Sequence, residues 1–75
     1  MNIEIKSEYL EKGLSGNELI LYAYIAKCMK ENGECNDTME EMSKKVNIAY
    51  RTIWRTMDRL KKGGFITQKT VYELR

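Results

Sequence analysis

The chain has 75 residues, of which 43% are hydrophobic and 32% charged, and its formal net charge is +2. That is one small domain, 1–75, which buries only about 60% of the surface its unfolded chain exposes and leaves no length for a second. No apolar run approaches the roughly 20 residues of a membrane crossing, and Asn2-Ile3-Glu4-Ile5-Lys6 after Met1 lacks the basic start and long apolar stretch of an export signal.

The first expected element occupies residues 1–13. Ile3 and Ile5 alternate with polar residues as a short strand does, and Ser7 then caps a single helical turn through Lys12, interrupted by Gly13. Ser15 and Glu18 next form an S-x-x-E capping box, with Leu14 and Leu19 as the hydrophobic staple across it. They open a first long helix over 15–32, closed by Asn32 and Gly33, which both tolerate the left-handed conformation. Within it the run LILYAYIA, 19–26, has no polar face over two turns, so the helix needs cover on most sides. One account supplies that cover from Ile3, Ile5, Tyr9 and Leu10 on one side and the later helices on the other. The alternative assigns Leu21, Tyr24 and Cys28 to a homodimer surface.

An extended piece at 34–36 leads to a second helix over 38–46. Thr38 and Glu41 form its capping box, Met39, Met42 and Val46 its buried stripe, and Ser43 is small enough for the next helix to cross closely. Asn47 accepts a positive φ and makes the turn. The third helix covers 49–62, with Ile53, Met57 and Leu60 inward and Tyr50, Arg51, Trp54, Arg55, Asp58 and Arg59 outward. Arg51, Arg55 and Arg59, at four-residue steps, line one cationic stripe. Gly63 and Gly64 end that helix, and 65–68 and 71–74 read as strands of a hairpin over 65–74, joined through Lys69-Thr70.

The small net charge conceals a division along these elements. Residues 1–43 hold four Lys and nine acids, a net of −5, while 44–75 hold nine Lys or Arg and two acids, a net of +7. One side of such a domain attracts polyanions and the other repels them. Catalysis has no support: the chain has no histidine, no G-x-x-x-x-G-K loop and no nucleophile beside a base, so neither an enzyme nor a cofactor is expected. Cys28 and Cys35 lack His partners and read as reduced, small hydrophobes, with no metal.

Residues 38–74 resemble the winged helix-turn-helix domains of bacterial, phage and plasmid DNA-binding regulators and replication initiators. The likeness covers about half the chain and rests on T-x-E-E-M-S-K-K-V-N-I-A-x-R-T-I-x-x-T-M-x-x-L-x-x-x-G-F-I, while LSGNELILYAYI is similar to that family's first helix. The fold implied is mainly α with a small β-hairpin wing (α+β), a winged helix-turn-helix with a three-helix core. The resemblance implies that Tyr50, Arg51, Thr52, Trp54 and Arg55 enter the major groove, and that the start of the 38–46 helix and the wing touch the backbone. Ala49 and Asn47 stand where the family more often has a hydroxyl-bearing cap and a glycine.

Arginine suits base reading because it donates two parallel hydrogen bonds to guanine O6 and N7. Arg51 and Arg55 are the candidates for that role, with Lys44, Lys45, Arg59, Lys61, Lys62 and Lys69 placed for phosphates. The expected partner is double-stranded DNA, read by a small transcriptional regulator or by the origin-binding domain of a replication initiator, in the cytoplasm at the nucleoid. The rival reading is a winged-helix protein-interaction module that ignores DNA and uses the LILYAYIA helix as its contact surface.

Overall fold

The computed structural model describes residues 3–68 and 72–74. In chain order it has α1 (Ser7–Glu11), α2 (Gly16–Asn32), α3 (Met39–Val46), α4 (Tyr50–Lys62), β1 (Ile66–Gln68) and β2 (Tyr72–Leu74). The core is built around α2, where Leu21, Tyr22, Ala23, Tyr24 and Ile25 are all buried. Five consecutive buried residues mean that α2 is wrapped, and α1, α3, α4 and β2 each pack on it.

This wrapping corrects two expectations. Leu21 and Tyr24 are fully buried by the chain's own elements, so they form no surface for a second copy; Cys28, the third residue of that group, is half-buried. Residues 3–6 form no strand, and Ile5 is 44% and Leu10 55% exposed. The cover on that side comes from Tyr9, whose ring meets Tyr22 edge-on with centroids 5.0 Å apart, and from partly buried Ile3. The helical turn expected before Gly13 is present as α1, beside the three longer helices.

Helix starts follow local chemistry unevenly. The expected box at Thr38 is present, with Glu41 N–H donating to Thr38 Oγ1 and Thr38 N–H to Glu41 Oε1, both at 3.1 Å. The box at Ser15 is absent. Gly16 opens α2 at φ +57°, outside the helical region that the motif needs, and Ser15 makes no side-chain cap. Ser7 is likewise the first residue of α1 and not its cap; Lys6 occupies that place.

β1 and β2 pair antiparallel, Ile66 opposite Leu74 and Gln68 opposite Tyr72. A single bridge adds Cys35 to this sheet, its carbonyl accepting the Tyr72 N–H at 2.8 Å. The tip expected at Lys69-Thr70 lies outside the described residues.

Candidate nucleic-acid interface

The geometry of the α3–α4 pair is set at its turn. Asn47 takes φ +57°, as its residue type allows, and Ser43 ties the following residue twice. Its carbonyl accepts the Ile48 N–H at 3.2 Å, and its hydroxyl donates to the Ile48 carbonyl at 2.5 Å. Ser43 thus fastens the turn, a stronger role than merely leaving room for a crossing. At the far end, Phe65 N–H bonds to Leu60 O and Gly64 N–H to Lys61 O, the paired closure of a helix on a left-handed glycine, here Gly64 at φ +79°.

Ile53, Met57 and Leu60 are fully buried, as their spacing requires. Thr56 joins them, and its hydroxyl donates to the Thr52 carbonyl at 2.7 Å, which satisfies the group inside the core. Its register, between Ile53 and Leu60, was the available signal.

The opposite face carries Tyr50, Arg51, Trp54 and Arg55, all exposed, and these four line one shallow recess of about 480 Å³. The two guanidiniums therefore share a side. Among the described residues neither the Arg51 nor the Arg55 side chain has a hydrogen bond or ion pair, and the exposed Lys44 side chain has none either. Thr52 is half-buried beside them.

Other cations expected at the same surface are engaged. Lys45 Nζ lies 3.0 Å from Asp37 Oδ2, Arg59 Nη1 3.9 Å from Glu18 Oε1, and Lys62 Nζ 3.0 Å from Asp58 Oδ2. Lys69 lies outside the described residues.

Asp37 is the residue that spacing alone did not single out. Its carboxylate accepts the Tyr24 hydroxyl from α2 as well as the Lys45 ammonium from α3. The Tyr24 bond, helped by Lys45, holds the Asp37 carboxyl below the usual carboxylate range despite partial burial, and Asp37 in turn raises the Lys45 ammonium. Burial, then the Asp37 bond, pushes the Tyr24 hydroxyl far up. Asp37 also opens a second recess, where Asn36, Thr38, Met39 and Glu40 face Tyr50 and Tyr72. The start of α3 is consequently self-capped and ringed by Asp37, Glu40 and Glu41. That negative charge opposes the phosphate contact implied there by resemblance.

Cys35 is buried, and burial with the neighbouring Cys28 thiol pushes its own thiol up to about 12. Among the described residues no three His, Cys, Asp or Glu side chains gather as a metal site would need, and no helix is long and apolar enough to cross a membrane.

A helix, a turn pinned at Asn47 and a second helix with a cationic outer face define a helix-turn-helix. The helix-turn-helix domain family matches residues 12–66, well over half of the chain, and the protein belongs to that family. Neither a curated protein nor a solved structure matches it.

Proposed function

We propose that this domain binds double-stranded DNA in a sequence-specific way, laying α4 in the major groove. The observation that carries this reading is the pair Arg51 and Arg55: two exposed guanidiniums on one helix face, free of acidic partners among the described residues, while Lys45, Arg59 and Lys62 are paired. Unpaired guanidiniums keep the two-donor fork that guanine requires. Tyr50, Thr52 and Trp54 belong to the same contact surface. Lys44 supplies a phosphate contact, while Lys45 and Arg59 stay with Asp37 and Glu18. The β1–β2 hairpin acts as the wing, with Lys69 touching the backbone.

In this role the domain is a non-catalytic module of a small transcriptional regulator or of a replication initiator. The rival protein-interaction reading loses its proposed surface, since Leu21 to Ile25 are buried within the domain. Selection of bound fragments from a random duplex pool provides the site for a decisive comparison. Arg51→Ala and Arg55→Ala should each erase about tenfold or more of the preference for that site over random DNA. Lys44→Ala should weaken both duplexes alike. Equal loss on both duplexes for the arginine variants removes the assignment, and failure to bind any duplex removes the function.

A further inference from the structure

We infer that Trp54, with Tyr50 beside it, is a specificity residue that takes the C5-methyl group of a thymine adjacent to a guanine read by Arg51 or Arg55. The inference rests on the DNA-binding reading above. It starts from a surface that the fold does not explain: Trp54 is 54% exposed and Tyr50 51% exposed. Neither belongs to the core cluster, and α4 is already held by Ile53, Thr56, Met57 and Leu60. Two aromatic side chains one helical turn apart thus present apolar surface to water where packing gains nothing from it.

Their neighbours define the occupant. Among the described residues the recess under these rings is completed by Arg51 and Arg55, so whatever enters it must be apolar itself yet embedded in a polyanion. On base edges facing the major groove, the thymine methyl is the one alkyl group; the other edge positions are hydrogen-bond donors, acceptors or a bare C–H. A rigid helix that brings a guanidinium fork to guanine carries the aromatic pair to the next step along the same groove. Stacking on an unpaired base is the weaker fit, because the rings sit on the convex outside of a helix and not on a flat platform.

The test uses the whole chain and the duplex selected from the random pool, with each thymine replaced singly by deoxyuridine, which removes only the methyl. Binding should weaken about fourfold at one or two thymines next to guanine, the value of one buried methyl group. Trp54→Ala should bind the thymine and uracil duplexes equally, and Trp54→Phe should restore part of the difference. Because Trp54 lies outside the core, both variants should melt with the parent, and circular dichroism checks that they do. Salt-sensitive duplex binding that ignores uracil at every position overturns the inference while leaving DNA binding intact, as does a thymine preference retained by Trp54→Ala. Tighter binding to the single strand than to the duplex also overturns it. Absence of binding to every duplex brings down both readings together.

Discussion

At the scale of single residues, Asp37 links α2 to α3 by accepting from both Tyr24 and Lys45. Its depressed carboxyl makes a directional prediction about pH. A carboxylate held below its unfolded value contributes stability that is present above the unfolded pKa, about 4, and lost as pH falls through the folded one. Asp37→Asn keeps an acceptor for the Tyr24 hydroxyl and removes only the charge. Its melting temperature should therefore lie below the parent's at pH 7, and the gap should close as pH drops below about 4. A gap independent of pH would show that shape, not charge, is what Asp37 contributes. Little of this was legible beforehand, because the path of the segment before α3 sets Lys45 against Asp37 and the crossing of α2 and α4 sets Arg59 against Glu18. The exposure of Arg51 and Arg55 was legible, since helical period alone sets them opposite Ile53 and Met57.

Among the elements, the same sequence signal gave opposite results at two helix starts. Thr38-Met39-Glu40-Glu41 forms its box, whereas Ser15-Gly16-Asn17-Glu18 does not, because Gly16 adopts a left-handed backbone that the other start has no residue to reach. Boundaries of α2, α3 and α4 were readable from apolar period and from Gly33, Asn47 and Gly64, which close the helices. The short alternation at Ile3 and Ile5 misled, since a strand needs an edge to pair with as well as a pattern. α4 offers the clearest engineering prediction. Its first residue follows Ala49, whose extended backbone suits a cap but whose methyl group cannot accept a hydrogen bond. Ala49→Ser should stabilise the domain by about 1 kcal/mol in chemical denaturation, with the exposed face of α4 unchanged. No gain would mean that the amides opening α4 already find acceptors.

For the molecule as a whole, the uneven charge along the chain becomes a question of how many cations are available. Lys45, Arg59 and Lys62 already face carboxylates, so fewer positive charges can displace counterions from DNA than the +7 of residues 44–75 suggests. The logarithm of the binding constant should fall against that of salt with a slope of about −3 to −5, corresponding to a few phosphates. A slope steeper than about −7 would mean that the internal pairs open on binding. The bridge between Cys35 and Tyr72 has a further consequence for the domain's integrity. It works as a hasp across a long loop: the last strand is hooked to the segment that precedes α3, and Tyr72 is buried there against the rest of the fold. The part matched by the family ends at residue 66, so a fragment trimmed to that limit would lose the hook along with Tyr72 and leave the Cys35 carbonyl without its donor. The central helix α2, on which β2 packs, thus depends for part of its cover on residues beyond the recognisable motif.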